Sequence, residues 1–132
     1  MIGPCSGTNS IFLISRLKIC ENIEEIIIAT TTNSSDNQIV NLGKKLNIKV
    51  IRGSENDVLD RFEIAAKNTN SNTLIRITGD CPLIDPYLIN EAIHIFRNNS
   101  YDYLSNGIEE TYPDGLDIEI FTKEALFLSL IH

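Results

Sequence analysis

Short runs of β-branched residues alternate with amphipathic segments along this chain, and that order limits the fold more than any other feature. Three runs are typical of buried strands, at 25–30, 48–51 and 73–78. Between them, apolar residues recur at the three- and four-residue spacing of a helix face. Strands that alternate with helices predict an α/β protein, a three-layer α/β/α sandwich on a mostly parallel sheet.

Capping residues place the helix ends, and two more strands complete the pattern. A short strand is expected at 101–104, and strict alternation predicts another at 116–121. The expected caps and first-turn residues are, in chain order, Asn9 or Ser10, Ser34 or Ser35, Asp57 with Asp60 at the capping-box position, Pro86, and Thr122. The expected organisation is one partial domain over 1–132.

Charge and cysteine content exclude several classes of function. The formal net charge is −7, and no Lys/Arg cluster offers the basic surface that DNA or RNA binding needs. Small phosphorylated ligands stay possible, because backbone N–H groups, a few cations and a metal ion hold them locally. Three widely spaced cysteines and two histidines do not suggest a zinc site. Without a basic leader or a long apolar stretch, we expect a cytoplasmic protein away from membranes.

Ligands of an open α/β sheet bind outside the carboxyl ends of its strands. The residues directly after each strand are therefore the first candidates for a binding site. Small, hydroxyl-bearing and charged residues collect in all three such places: 30–33, 52–54 and 79–82. Asp80 has the carboxylate that Mg²⁺ prefers, although it could equally cap local N–H groups. For Asp85 we favour a helix cap, and for Arg61 an exposed position on its helix.

Asp117 and Glu119 are two residues apart in the last predicted strand and therefore share one face of it. Carboxylates so placed could hold a metal ion or the hydroxyls of a sugar. Alternatively, the two carboxylates form the solvent-exposed face of an edge strand, which is the more common arrangement. His94 lies on the polar side of its helix, where we expect it to be solvated.

Four stretches of the sequence resemble the cytidylyltransferase-like proteins of surface-polysaccharide synthesis. That group includes spore-coat polysaccharide biosynthesis protein F and is related to the enzymes that make CMP-sialic acid and CMP-KDO. The stretches are 28–33, 52–61, 76–85 and 112–119, and the third, R-I-T-G-D-C-P-L-I-D, is the most distinctive. The similarity extends from about Arg16 to about Leu126.

The resemblance implies a Rossmann-like nucleotide-diphospho-sugar transferase fold, incomplete in this chain. It implies a reaction in which an oxygen of a sugar or sugar acid attacks the α-phosphate of CTP, with Mg²⁺ as cofactor. It also implies a possible homodimer through regions that this chain lacks. The implied site residues are Asp80 as catalytic and metal-binding, Thr30, Thr31, Arg52, Ser54 and Asp60 at the nucleotide, and Asp117 and Glu119 at the sugar or a second metal ion.

The beginning of the sequence departs from the family pattern. Relatives start with a strand and a loop of the type A-R-x-G-S-x-R-x-P-x-K, whose Arg and Lys hold the triphosphate. Residues 1–9 contain neither that Arg nor that Lys. Two hypotheses follow: a CTP-dependent sugar nucleotidylyltransferase, or a non-catalytic degenerate paralogue or fragment of one. A glycosyltransferase of the same fold is a third, which the string T-G-D-C-P disfavours.

Overall fold

The computed structural model describes residues 7–78, 84–105 and 118–131, and in these segments helices and strands alternate as the sequence predicts. Strand limits differ from the predicted ones by up to three residues. In chain order the elements are α1 (Gly7–Ile19), β1 (Ile27–Thr31), α2 (Asn37–Lys45), β2 (Lys49–Gly53), α3 (Val58–Lys67), β3 (Thr73–Arg76), α4 (Pro86–Arg97), β4 (Tyr103–Ser105), β5 (Glu119–Thr122) and α5 (Lys123–Ile131).

The strands of the described segments form two sheets. β1 and β2 are parallel neighbours. β5 lies between β3 and β4 and runs antiparallel to both. β3 and β4 are thus parallel to each other, as expected for strands joined through a helix. β5 is thus the antiparallel exception to the predicted mostly parallel arrangement, and among the described strands it is not the edge strand that the alternative expected.

Helices cover both faces of these sheets and make the predicted three layers. On one face a single apolar cluster includes Leu13 of α1, Ile28 of β1, Ile93 of α4 and Ile120 of β5. On the other face Phe62 and Ala66 of α3 pack with residues of β3, β5 and α5. Because the first cluster contains residues of both sheets, the sheets share one core.

Local capping explains where several helices begin. Asp57 accepts a hydrogen bond from the Asp60 amide at 3.1 Å, and Asp85 accepts one from the Tyr87 amide at 2.9 Å. Thr122 accepts one from the Ala125 amide at 3.1 Å. The predicted caps of α3, α4 and α5 are therefore confirmed.

The first two helices begin elsewhere than predicted. Asn9 and Ser10 lie inside α1, and Ser10 is buried, so neither is its cap. Ser34 starts a 3₁₀ turn that ends at Asp36, and α2 proper begins only at Asn37. No helix in the described segments is long and apolar enough to cross a membrane.

Candidate functional site

The carboxyl ends of β1 and β2 lie side by side, which brings predicted nucleotide-site residues together. In the parallel register Thr30 lies opposite Arg52, and Thr31 lies opposite Gly53. Ser54 follows directly after β2. The structure therefore places four of the five predicted nucleotide residues along one edge, where ligands of α/β sheets bind.

Both threonine hydroxyls at this edge point to one carboxylate. Thr30 is fully buried and donates from Oγ1 to Asp36 Oδ2 at 2.8 Å. Thr31 donates to the same oxygen twice, from its backbone N at 3.0 Å and from Oγ1. The Thr31 Oγ1 atom also accepts a hydrogen bond from the Asn33 amide at 3.2 Å. These hydroxyls are thus used inside the protein.

The Arg52 guanidinium closes the same edge from the side of β2. Its Nε donates to the Thr31 carbonyl at 2.8 Å, and its Nη2 donates to the Asn33 carbonyl at 2.6 Å. Its Nη1 donates to Asn37 Oδ1 at 2.9 Å. Three of the five guanidinium donors hold the loop after β1, and two remain for another acceptor.

Asp36 is held as a carboxylate in this arrangement. Partial burial acts to raise its pKa, but hydrogen bonds from Thr31 and Thr30 and the charge of Arg52 outweigh that effect. The net result is a pKa below the ordinary aspartate value. A lasting negative charge at this position keeps both threonine hydroxyls oriented as donors.

The loop between β2 and α3 is fixed by a buried arginine. Arg61 is only 5% exposed, and its Nη1 donates to the carbonyls of Ser54 at 2.8 Å and Glu55 at 3.1 Å. Gly53 makes room for it, because a Cβ there would lie 3.0 Å from Arg61 Cγ. The expectation of an exposed Arg61 is wrong: the side chain folds back over the loop instead of extending into solvent.

Ser54 lies in the loop that Arg61 holds, and Asp60 precedes Arg61 in α3. Ser54 Oγ accepts a hydrogen bond from the Asp57 amide at 3.2 Å. Asp60 lies in the first turn of α3 and is half-buried. Four predicted nucleotide residues thus lie at the strand ends, and the fifth, Asp60, lies in the first turn of α3 beside them.

Asp80 and Asp117 lie outside the described residues, but Ile84 and Asp85, where the described chain resumes, have defined contacts. Ile84 is fully buried, and its carbonyl accepts a hydrogen bond from Arg16 of α1 at 3.2 Å. Asp85 then caps α4. Ile84 is therefore anchored to α1, and Asp85 to the start of α4.

Glu119 belongs to the antiparallel sheet, where both of its oxygens have partners. Arg76 forms an ion pair with Oε2 at 3.0 Å, and Tyr103 donates to Oε1 at 2.7 Å. The Arg76 guanidinium also lies 4.9 Å from the centre of the Phe62 ring, within cation–π distance. Burial and the hydrogen bond to Glu119 raise the pKa of the Tyr103 hydroxyl.

The described residues do not by themselves form a metal site. No group of three His, Cys, Asp or Glu side chains in those segments is arranged to hold an ion. Glu119 already accepts one hydrogen bond on each carboxylate oxygen, so a metal ion would have to share that carboxylate with Arg76 and Tyr103.

Sequence patterns missed Asp36 and Arg76, which shape these sites, and wrongly predicted an exposed Arg61. A signal for Asp36 was present, because an aspartate five residues after two strand-end threonines can reach back to their hydroxyls. Arg61 lies between the apolar positions of α3, and its charge favoured a solvent-exposed position. Arg76 gave no signal, since its partner is 43 residues away in sequence.

Comparison with known proteins gives this site its context. The family model described as Cytidylyltransferase matches residues 11–129, which is most of the chain. The chain belongs to the cytidylyltransferase family. An uncharacterised protein of Methanocaldococcus jannaschii is 42% identical over 114 residues, which cover 86% of this chain and 46% of the relative. The Bacillus subtilis spore coat polysaccharide biosynthesis protein SpsF is 34% identical over 85 residues, or 63% of this chain and 35% of that protein.

Solved structures agree with this cytidylyltransferase assignment. A cytidylyltransferase of Leptospira borgpetersenii superimposes with a TM-score of 0.86 at 34% identity, over 100% of this chain and 56% of that chain. A CMP-KDO synthetase complexed with CTP superimposes with a TM-score of 0.71 at 12% identity, over 93% of this chain and 66% of that chain, and so supports the fold alone. This cytidylyltransferase chain spans about half the length of the first curated relative it matches.

Proposed function

We propose that this chain carries out CTP-dependent nucleotidyl transfer to a sugar acid, as a step towards a surface polysaccharide. The observation that carries the proposal is the ordered polar edge at the ends of β1 and β2, in a chain of the cytidylyltransferase family. Similarity to SpsF supports the polysaccharide context. Similarity to a 3-deoxy-manno-octulosonate cytidylyltransferase of Fusobacterium nucleatum, 32% identical over 59% of this chain and 31% of that protein, supports a sugar acid as acceptor.

The proposed reaction is a substitution at phosphorus. A hydroxyl oxygen of the sugar acid forms a bond to the α-phosphorus of CTP, and the bond from that phosphorus to the bridging oxygen breaks. Pyrophosphate leaves, and the hydroxyl proton passes to solvent or a nearby base. The protein's contribution is to position the reactants and stabilise charge on the phosphates.

We assign the nucleotide to the edge formed by β1, β2 and the start of α3. Thr30, Thr31 and Arg52 give that edge its shape, and Ser54 and Asp60 border it. We assign the two remaining donors of Arg52 to an acceptor on the nucleotide.

Metal binding in this proposal belongs to Asp80, with Asp117 and Glu119 facing the sugar or a second ion. When bound, Mg²⁺ neutralises phosphate charge and the charge that develops on the leaving group. Because Glu119 is paired with Arg76, we propose that it contacts sugar hydroxyls only through its remaining acceptor capacity. A homodimer and a cytoplasmic location stay predictions.

The test is calorimetric titration of the full chain with CTP, with and without Mg²⁺. We expect micromolar binding that needs Mg²⁺, corresponding to about 8 kcal/mol, and its loss in Asp80→Ala. Asp102→Ala, which changes an exposed aspartate before β4, is the matched control and should bind like the wild type. UTP in place of CTP tests recognition of the base.

Release of pyrophosphate then tests catalysis and the acceptor. We expect release only when CTP and a sugar acid such as 3-deoxy-manno-octulosonate are both present. A folded chain that binds no nucleotide would refute the proposal and favour the non-catalytic relative. Equal affinity for CTP in Asp80→Ala and the wild type would mean that Asp80 does not bind the metal ion.

A further inference from the structure

One carboxylate and one guanidinium together hold the loop after β1. We call this group the Asp36 clasp, and it consists of Thr30, Thr31, Asn33, Asp36, Asn37 and Arg52. Three donors converge on Asp36 Oδ2, two from Thr31 and one from Thr30. Arg52 holds the carbonyls of Thr31 and Asn33 and the side chain of Asn37. The loop is therefore fixed at both of its ends.

The clasp separates buried residues from exposed ones at the strand end. Thr30 is 0% and Thr31 is 4% exposed, and their hydroxyls are used within the clasp. Thr32 and Asn33, the next two residues, are exposed on the loop that the clasp holds. Direct contact with a ligand at this edge thus falls to the loop, and the threonines act on it indirectly.

We propose that Asp36 is a positioning residue of the nucleotide site, which acts through Thr31 and Arg52 on the loop that carries Thr32 and Asn33. The inference rests on the proposed function, because it assigns a role in nucleotide binding. Asp36 holds three donors at once, so its loss frees the strand end and the loop together. Its role is to fix the loop before the ligand arrives, which reduces the ordering cost of binding.

A residue that only stabilises the fold would behave differently from a positioning residue. Its substitution would lower the stability of the chain but leave the affinity of the folded fraction for CTP unchanged. A positioning residue changes affinity in protein that remains folded. If Asp36 acts through Thr31, the effects of substituting the two residues will also fail to add.

The experiment compares the wild-type full chain with Asp36→Asn, Thr31→Val and the double variant. CTP dissociation constants are measured by calorimetry with Mg²⁺, at a temperature where circular dichroism shows each variant to be folded. We expect Asp36→Asn to weaken CTP binding by about tenfold to a hundredfold, the scale of a misplaced binding group. The double variant should bind CTP no more weakly than the single variant that has the lower affinity for CTP.

Thr122→Ala is the stability control, because it removes the cap of α5 and lies outside the clasp. It should destabilise the chain and leave the CTP dissociation constant unchanged. Wild-type affinity in Asp36→Asn would overturn the inference. So would an equal loss of affinity in Thr122→Ala, or additive losses in the double variant.

Hydrogen exchange separates failure of the inference from failure of the proposed function. In Asp36→Asn the amides of Thr31 and Asn33 should exchange about tenfold faster or more, because each depends on the clasp. The Ile28 amide in the middle of β1 is the internal reference. If the wild type binds no CTP, the proposed function fails. Unchanged exchange of the Thr31 amide in Asp36→Asn would separately show that Asp36 does not hold the strand end.

Discussion

At the scale of single residues, buried and half-buried charged groups define this protein's polar sites through contacts made in the folded chain. Arg61 folds over the Ser54–Glu55 turn, and Arg76 pairs with Glu119 across the sheet. Sequence patterns located the strand-end threonines and the Asp57 cap because those features are local. They could not assign partners to Arg61 or Arg76, because a charge in an amphipathic segment argues for solvent until its tertiary partner is known.

The hydrogen bond between Tyr103 and Glu119 predicts a measurable titration. Burial and this bond hold the pKa of Tyr103 above its ordinary value, since ionisation would place a phenolate beside a carboxylate. Glu119→Gln removes that charge but not the burial, so the pKa should fall part of the way back. Tyrosinate absorbance against pH measures the change, with Tyr103→Phe identifying the contribution of Tyr103.

Glu124→Gln, on an exposed position in the first turn of α5, is the matched control and should leave the titration unchanged. An unchanged Tyr103 titration in Glu119→Gln would mean that Glu119 does not hold the tyrosine in solution. Its carboxylate would then be available to a sugar or a metal ion, as the family resemblance implies.

At the scale of elements, close packing of α2 on β2 depends on a glycine. A Cβ at Gly43 would lie 2.3 Å from Val50 Cγ2 and 3.3 Å from the Ile48 carbonyl oxygen. Gly43→Ala should gain about 1 kcal/mol of helix propensity but cost about 1–3 kcal/mol in forced repacking. We expect net destabilisation in urea unfolding.

Asn41→Ala tests the same helix without the close contact, because Asn41 is exposed in the middle of α2. That variant should be neutral or stabilised by about 0.5 kcal/mol. If Gly43→Ala were as stable as Asn41→Ala, α2 and β2 would have to lie further apart than the structure places them.

Hydrophobic periodicity predicted the order of these elements well but not their arrangement in sheets. Each β-branched run and each helical stripe is a local pattern, so its type follows from a few neighbouring residues. The position of β5 does not, because its pairing with β3 joins Thr73 to Thr122 across a long stretch of chain. The antiparallel insertion of β5 is therefore a tertiary result that alternation alone cannot predict.

At the scale of the whole molecule, the two sheets are joined by apolar packing and by the helices that span them. α3 packs on β1 and β2, and its Phe62 and Ala66 also contact the antiparallel sheet. A cavity of about 230 Å³ lies between the sheets, lined by residues of both. The shared core and α3 therefore couple the two sheets.

Truncation of a shared core residue tests whether the two sheets unfold as one unit. Ile120 is 1% exposed in β5 and belongs to the cluster that contains Ile28 of β1. Ile120→Ala should cost about 2–5 kcal/mol through lost burial and the cavity it leaves. Native-state hydrogen exchange should then show equal losses of protection at β1 and β3, because both depend on global unfolding.

Ile95→Ala, at a site 42% exposed on α4, is the control and should cost less than about 1 kcal/mol. Loss of protection in β3 with β1 unchanged would instead mean that the β1–β2 unit, which carries the Asp36 clasp, is stable without the antiparallel sheet.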